Sequence, residues 1–374
     1  MATTRSTSGD ALATHPSQSA SPDRPPTSKR IASAMAVDKV GAVYVWLAII
    51  VVFSIWVPET FPTADTAKQI LNSNAITGLA ALAITIPLAA RVFDLSFAFI
   101  MTLTGVVVAK LVIGDMPLVL AVLIGCGVGL AIGLINAGVV VVAKIDSFIG
   151  TLATGSLIQA LITMVTDDTP ISDAKLSGGF SDIGQTTIGG ITLPVFYVAF
   201  VAIAIWYLLE HTATGRRLYA TGFNPDASRL AGVQVDKLRF LSLVTSGGLA
   251  GAAGIVLAST LGSGSPTAGS PYLLPAFAAV FLGATQLKNG RFNSGGTMIA
   301  VLLLGTGTTG LALAAAPQWS QAMFVGIVLL AALAVTGLQR RTAVASRGSG
   351  VHGAGVSGTD QPGVSTSTSL TDED

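Results

Sequence analysis

Hydrophobic residues are arranged along this chain in ten apolar segments, which short polar loops separate. Most segments contain about 17 to 22 residues, the length of a helix that crosses ~30 Å of hydrocarbon. Only helices and closed barrels satisfy the backbone in lipid, and the period-two alternation of a barrel strand is missing from this sequence. The pattern therefore predicts about ten transmembrane helices, at Gly41–Val57, Ile70–Ala90, Phe97–Ile113, Pro117–Val142, Phe148–Val165, Ile191–Leu209, Leu241–Leu261, Tyr272–Leu282, Gly295–Ala315 and Met323–Leu338.

Two of these segments carry further information about packing. The eighth, Tyr272–Leu282, is short and ends at "GATQLKNG", so we expect a partial span, which is tolerated only where protein covers the freed backbone. The fourth carries Gly125, Gly129 and Gly133 in an i, i+4 row. Such a row of small residues predicts close contact with a neighbouring helix.

The composition agrees with a membrane protein. Hydrophobic residues make up 51% of the chain and charged residues only 10%, and the mean hydropathy is +0.71. A soluble domain usually carries roughly a quarter of its residues as charges. The predicted fold class is an all-α polytopic membrane protein that lies among membrane lipids.

Several kinds of chemistry are absent from the sequence. The formal net charge is +1 and no long basic cluster occurs, so we expect no nucleic-acid partner. Cys126 is the only cysteine, which excludes an intramolecular disulfide and a cysteine-based metal site. The three histidines, His15, His211 and His352, lie in the termini or a loop at no metal-ligand spacing. We predict no metal site and no catalytic site.

The positions of lysine and arginine predict that both termini are cytoplasmic. With ten spans and the N-terminus inside, all 20 of these residues except Lys68, Lys110 and Lys175 lie on the inner side. Residues 1–36 and 341–374 are polar and poor in large apolar residues, so we expect disordered cytoplasmic tails. A transmembrane domain at 37–340 lies between them.

Two loops are long enough to contact other molecules. The outer loop at 166–190 is polar and turn-rich, and it is either a plain connection or a docking surface or gate for something outside. The inner loop at 210–240 contains a predicted short helix. Asn224 is a good N-cap, Pro225 suits the first helical position, and Gly232 supplies a left-handed end.

The short inner helix has an apolar face. Ala227, Leu230 and Ala231 share that face at i, i+3 and i+4, and Arg229 lies elsewhere on the helix. A helix of this length is marginal alone in water, so it packs either on its own membrane core or on a partner. From the residues alone, the loop is either an ordinary positive-inside loop or a contact site for a partner protein.

Polar residues inside the spans are the candidates for a solute path. Arg91 and Asp94 are three residues apart and able to meet on one helix face. They are either a neutralised pair at the inner membrane edge or a gate. Asn136 lies in the fourth span, and the fifth carries a polar stripe. The stripe comprises Thr151, Thr154, Ser156, Gln159 and Thr163. Such residues either hold helices together or line a path for a neutral polyol.

The chain carries no nucleotide-binding motif of its own. There is no G-x-x-x-x-G-K-[ST] phosphate loop, and "GTGTTG" near Gly305 lacks the lysine and lies in an apolar span. The energy for transport must therefore come from another chain or from an ion gradient.

A family resemblance emerges from the stretch that begins "GRRLYATGFNPDASRLAGVQV". It resembles the ribose-type monosaccharide permeases of bacterial ABC importers. The resemblance extends over roughly residues 65 to 335. The matching positions are Gly222, Asn224, Ala227, Ala231, Gly232 and Val233 in the loop; Gly262, Gly264, Pro266, Gly269, Tyr272, Gly283, Thr285, Gly290 and Gly296 after it; and Asn136, Phe148, Thr151 and Leu152 before it.

The chain departs from the family pattern at two places. The family's Gly-Gly-Ile-Asp-Leu-Ser stretch appears here as "ARVFDLS", which keeps Asp94, Leu95 and Ser96 but replaces both glycines and introduces Arg91. The later Gly-Gly-x-Gly turn is reduced to "NGRFNSGG".

The resemblance implies partners and roles. Such permeases pair as homodimers, and a separate ABC ATPase binds the ATP. The coupling helix, here Asn224 to Gly232, sits on that ATPase, and a periplasmic or lipid-anchored sugar-binding protein delivers the solute. We therefore predict an importer permease for a ribose- or xylose-like monosaccharide in the bacterial inner membrane, working by alternating access, with no enzymatic activity of its own. Coupling is assigned to Asn224, Ala227, Arg229, Leu230 and Gly232, and the path or gate to Arg91, Asp94, Ser96, Asn136, Thr151, Thr154 and Gln159.

Three alternatives remain open. The first is a permease of the same architecture for a nucleoside or a branched-chain amino acid. The second is an ion-coupled secondary carrier, which would require intramembrane ion sites, with Arg91 and Asp94 as the best pair. The third is a membrane scaffold or receptor, which the polar stripe and the coupling-like loop disfavour.

Overall fold

Apolar helices form the body of the protein in this computed structural model. The structure describes residues 37–286 and 290–351 of the 374-residue chain, and side chains at 43–285 and 290–334. Each of the ten predicted segments corresponds to one described helix. These are α1 (Val37–Trp56), α2 (Ala64–Ala89), α3 (Phe97–Ile113), α4 (Leu118–Ala137), α5 (Ser147–Thr166), α7 (Leu193–His211), α10 (Val235–Leu261), α11 (Leu273–Gln286), α12 (Ser294–Leu313) and α13 (Gln318–Val351).

Shorter elements connect these helices. They are α6 (Gly179–Gln185), α8 (Ala213–Phe223), α9 (Pro225–Leu230), a π-helical turn at Gly138–Val142, 3₁₀ turns at Ala174–Leu176 and Ser270–Tyr272, and the antiparallel strands β1 (Thr187–Ile188) and β2 (Ile191–Thr192). Within the described residues, six helices are long and apolar enough to cross a membrane. The all-α polytopic class is therefore confirmed, whereas the number of ten spans and the cytoplasmic termini stay predictions.

Helix α10 lies at the centre of the bundle and packs against α2, α3 and α4. Its contact with α4 is close because glycines face each other. A Cβ on Gly129 would lie 2.6 Å from the carbonyl oxygen of Gly247, and one on Gly133 would lie 2.9 Å from that of Leu243. The predicted glycine row is thus at a helix contact, where a larger side chain would separate α4 from α10.

Two segments without α-helix lie inside the bundle. Residues 90–96 join α2 to α3, and residues 262–272 join α10 to α11. The second runs along α3, because a Cβ on its Gly264 would lie 3.2 Å from the Cα of Val106 and its Gly269 N–H donates to the Thr102 hydroxyl at 3.0 Å. Its Gly264 also pairs with Ile171 through backbone hydrogen bonds. Irregular backbone at membrane depth is tolerated where protein supplies such partners.

Helix α11 has 14 residues and rises about 21 Å, which is less than the hydrocarbon thickness. It packs against α2, α12 and α13, so other helices cover it. This confirms the expectation of a short, covered eighth segment.

The outer loop predicted at 166–190 contains structure of its own. Leu176 and Phe180 are buried against α3 and α4, and Gln185 donates to the Thr260 carbonyl at the end of α10. Helix α6 therefore rests on the bundle instead of projecting from it.

The predicted tails fall mostly outside the described residues. Positions 1–36 and 352–374 lie outside them. Helix α13 continues to Val351, so it includes the first residues of the segment predicted as a disordered tail from 341. Alanine and arginine in "QRRTAVASR" are good helix formers, which accounts for the longer helix.

Candidate functional site

A short capped helix, α9, lies between α8 and α10, at the end of the bundle that the charge pattern predicts to be cytoplasmic. The side-chain oxygen of Asn224 accepts hydrogen bonds from the N–H groups of Asp226 and Ala227, both at 3.1 Å. Pro225 occupies the first helical position, where its lack of an N–H costs no hydrogen bond within the helix. Gly232 has φ +80°, which glycine adopts without a Cβ clash. The predicted helix is present and contains six residues.

One exposed face of this region is apolar. The side chain of Leu230 is 92% exposed and that of Phe223, at the end of α8, is 74% exposed. Ala227 and Ala231 are exposed beside them, while Ser228 faces the protein interior. We call Phe223, Ala227, Leu230 and Ala231 the docking surface. Because exposed apolar patches often lie at interaction sites, these four residues are a candidate interaction site.

Arg229 does not belong to the docking surface. Its guanidinium pairs with Asp236 at the start of α10 at 2.8 Å and with Asp226 at 3.5 Å. The hydrogen bond to Asp236 and the charge of that carboxylate raise the pKa of Arg229 above its ordinary value. The pairs join α9 to α10, so the structure gives Arg229 a contact within the chain.

Helix α8 contacts the membrane domain at two separate points. Gly222 packs directly on the end of α2, where an added Cβ would collide with the carbonyl oxygen of Ala89. The Tyr219 hydroxyl donates to the carbonyl oxygen of Phe292, just before α12, at 2.9 Å. The Arg291 guanidinium lies 5.5 Å from the centre of the Tyr219 ring, which adds a cation–π contact. Movement of α8 would therefore reach both α2 and α12.

Most of the predicted path residues meet in a buried polar cluster. Asp94 accepts hydrogen bonds from the Ser96 N–H at 3.0 Å, the Ser96 hydroxyl at 2.6 Å and the Ser246 hydroxyl at 2.7 Å. The Asn136 side-chain amide donates to the Ser96 oxygen at 2.7 Å. All four residues are fully buried. We call them the buried polar cluster; it joins the 90–96 segment to α4 and α10.

The amino-terminal turn of α5 supports the same segment. The Leu95 N–H donates to the Thr151 hydroxyl at 3.0 Å, and the Phe93 N–H donates to the Ser147 hydroxyl at 3.1 Å. Buried backbone N–H groups need such partners when no helix or sheet provides them. Thr151 is therefore a brace for the 90–96 segment.

The predicted pairing of Arg91 with Asp94 is wrong. The two residues do not share a helix face, because residues 90–96 are not helical and Arg91 has φ +59°. Arg91 is exposed, whereas the Asp94 side chain is fully buried. No ion pair of Arg91 occurs among the residues that the structure describes.

The polar stripe predicted on α5 divides between different faces. Thr151 and Thr154 are buried, and the Thr154 hydroxyl donates to the Gly150 carbonyl of its own helix. Ser156 is exposed and Gln159 is half-buried. At 100° per residue, positions 151 and 154 point away from positions 156, 159 and 163, so the five residues do not form one stripe.

Several relevant residues were not predicted from the sequence. Ser246 completes the buried polar cluster, and a serine in the middle of an apolar span was its only signal. Phe223 extends the docking surface beyond α9. On the 262–272 segment, Thr267 is exposed before the 3₁₀ turn and Ser270 is exposed at its start. Two hydroxyl groups are therefore presented from irregular backbone beside α3.

Asn136 has an unusual environment. Its side-chain oxygen is buried and has no hydrogen-bond partner among the described residues. Within the same part of the chain, no group of three or more histidine, cysteine, aspartate and glutamate residues could hold a metal.

The chain is similar to several known proteins. The chain matches the model of the family described as "Branched-chain amino acid transport system / permease component" over residues 66–333. It is 33% identical to the ribose import permease protein of Escherichia coli K12 over 77% of this chain and 90% of that protein. Identity to the ribose import permease protein of Bacillus subtilis 168 is 34%, over 82% of this chain and 94% of that protein. Identity to the D-allose transport system permease protein of Escherichia coli K12 is 30%, over 80% of this chain and 91% of that protein. No solved structure matches the chain significantly.

Proposed function

Because this chain belongs to the family of branched-chain amino acid transport system permease components, and within it to the ribose-type ABC importer permeases, we propose that it imports a ribose-like monosaccharide. The chain would form the path across the bacterial cytoplasmic membrane. ATP would be bound and hydrolysed by a separate ABC ATPase. This assignment is consistent with the absence of a phosphate-loop motif from the sequence.

The docking surface is the observation that carries this proposal. An apolar face with Leu230 at 92% and Phe223 at 74% exposure is suited to binding a partner, since fully burying one such side chain is worth about 1.5–3 kcal/mol. The surface lies on a capped helix at the end of the bundle where basic residues concentrate. A cytoplasmic ATPase is the partner that such a position suits, and α8 links the surface to α2 and α12.

A neutral sugar suits the polar groups of the membrane domain. The names of the similar proteins specify ribose and D-allose, which are uncharged polyols. Thr267 and Ser270 on the irregular 262–272 segment offer hydroxyl groups for exchangeable hydrogen bonds. We propose that this segment faces the solute, and that Asp94, Ser96, Asn136 and Thr151 hold the backbone next to the path.

The proposed mechanism is alternating access. Two copies of the chain would pair, each with its α9 on one ATPase subunit, and a periplasmic or lipid-anchored sugar-binding protein would deliver the solute to the outer face. ATP-driven closure of the ATPases would move α8 and α9 and switch the open side of the path. The cytoplasmic termini and the ten spans belong to this proposal.

Uptake of labelled D-ribose by host cells with and without this gene tests the function. We expect uptake that requires the gene, persists when ionophores collapse the proton and sodium gradients, and ceases when ATP is depleted. Loss of uptake with the gradients while ATP is maintained would favour an ion-coupled carrier. D-allose, uridine and leucine are tested in parallel, because gene-dependent uptake of uridine or leucine without ribose would reassign the solute class.

A further inference from the structure

Six phenylalanines form one continuous cluster of rings. Phe93 contacts Phe148 with ring centroids 6.3 Å apart and Phe281 at 6.4 Å. Phe281 in turn contacts Phe277 at 6.2 Å and Phe292 at 5.6 Å. Phe277 also meets Phe97 edge-on at 5.9 Å. We call these six residues the phenylalanine cluster. Ring pairs at such distances attract each other beyond simple burial.

Three members of the cluster lie near one end of the bundle. Phe93 follows the end of α2, Phe148 lies in the first turn of α5, and Phe292 precedes α12. These positions are at the end that carries α8 and α9, which is the cytoplasmic end in the proposed orientation. Phe148 is 49% exposed, so the cluster reaches the protein surface. Where such a cluster of rings closes a path, it excludes water and therefore hydrated solutes.

The six rings belong to two groups of elements. Phe93, Phe97 and Phe148 lie on the 90–96 segment, α3 and α5, which the Ser147 and Thr151 hydrogen bonds hold together. The other three, Phe277, Phe281 and Phe292, lie on α11 and the residues before α12. Two ring contacts join the two groups: Phe93 with Phe281, and Phe97 with Phe277.

Helix α8 touches both groups. Gly222 packs on the Ala89 carbonyl, four residues before Phe93. Tyr219 donates to the carbonyl oxygen of Phe292 itself. A displacement of α8 therefore acts on both sides of the ring boundary.

We propose that the phenylalanine cluster is the inner gate of the solute path, and that α8 opens it by moving its two groups apart. This inference rests on the proposed function, because a transported solute and an ATPase that moves α8 are both required. When the rings meet, a sugar loses its hydrogen-bonding partners at the constriction and does not pass. When the groups separate, the solute reaches the cytoplasm.

A leak measurement tests the gate. The permease is purified with its ATPase and reconstituted in liposomes loaded with labelled D-ribose, and efflux is followed without ATP. Phe281→Ala removes three ring contacts, and we expect efflux roughly tenfold faster than in wild type, as the loss of about one ring-pair energy would give. Phe200→Ala is the matched control, because Phe200 is 73% exposed on α7 and should leave efflux unchanged.

The link to α8 is tested separately. Tyr219→Phe keeps the ring and removes the hydroxyl that binds the Phe292 carbonyl. We expect ATP hydrolysis to continue while ATP-driven uptake of D-ribose falls several-fold. If Phe281→Ala does not retain the ATPase in wild-type amounts, Phe281→Leu, which keeps bulk but not the ring, is measured instead.

The outcomes distinguish the gate from the proposed function. The gate is overturned if liposomes with Phe281 variants retain D-ribose as well as wild type and Tyr219→Phe transports normally. That result would leave the proposed importer intact. A wild-type complex that hydrolyses ATP but accumulates no D-ribose or D-allose would instead contradict the proposed function. Efflux by Phe281→Ala but not by Phe200→Ala would support the gate.

Discussion

The substitution Leu230→Asp should weaken binding of the ATPase without unfolding the permease. Because the Leu230 side chain is 92% exposed, its replacement should change the stability of the isolated permease by no more than about 0.5 kcal/mol. In the complex, the same change removes the burial of a leucine, worth about 1.5–3 kcal/mol. It also places an unpaired carboxylate in an apolar contact, which adds a desolvation penalty.

The two effects together should weaken ATPase binding by roughly 100-fold, equivalent to about 2.7 kcal/mol. The assay is the amount of ATPase retained by immobilised permease across a concentration series, together with ATP-dependent uptake of D-ribose. Leu230→Met is the matched control, because it keeps an apolar side chain of similar volume and should bind normally. Unchanged affinity in Leu230→Asp would refute the assignment of α9 as the coupling helix.

Four further changes test other parts of the structure. Asp94→Ala leaves three donors of the buried polar cluster without their acceptor, and we expect a loss of about 2–4 kcal/mol, measured as earlier thermal unfolding in detergent; wild-type stability would contradict the bracing role. Gly222→Val should separate α8 from α2 and abolish uptake while membrane insertion, followed by membrane fractionation, stays normal; normal uptake would exclude this contact from coupling. Arg91→Ala should leave uptake close to wild type, since Arg91 is exposed and unpaired with Asp94; a large loss in the same uptake assay would restore a gating role for its charge. Ser177→Cys, in a Cys126→Ala background, should react with an impermeant maleimide from outside intact cells, because residue 177 is exposed on the outer loop; labelling only after lysis would invert the proposed orientation.

Local signals in the sequence were sufficient to predict α9. The N-cap Asn224, Pro225 and Gly232 determine where α9 begins and ends through contacts within a few residues. The apolar segments likewise predicted where the long helices lie, because backbone satisfaction in lipid requires helices of that length. The short length of the eighth apolar segment predicted the short α11.

Contacts between residues that are far apart in the sequence could not be predicted from local patterns. Ser246 binds Asp94 across 152 positions, and no local pattern connects the two. The prediction that Arg91 pairs with Asp94 was wrong because it assumed a helix over residues 90–96, which are not helical. The phenylalanine cluster also depends on tertiary structure, since its members come from separate elements.

Purification from the native membrane tests the central claim most directly. The detergent-solubilised protein is isolated through a tag, and the co-purifying chains are identified by mass. We predict an ATPase that carries a phosphate-loop motif, present with the wild-type chain and lost with Leu230→Asp. A well-preserved preparation that contains no ATPase, and that still imports D-ribose after reconstitution alone, would contradict the assignment as an ABC importer permease.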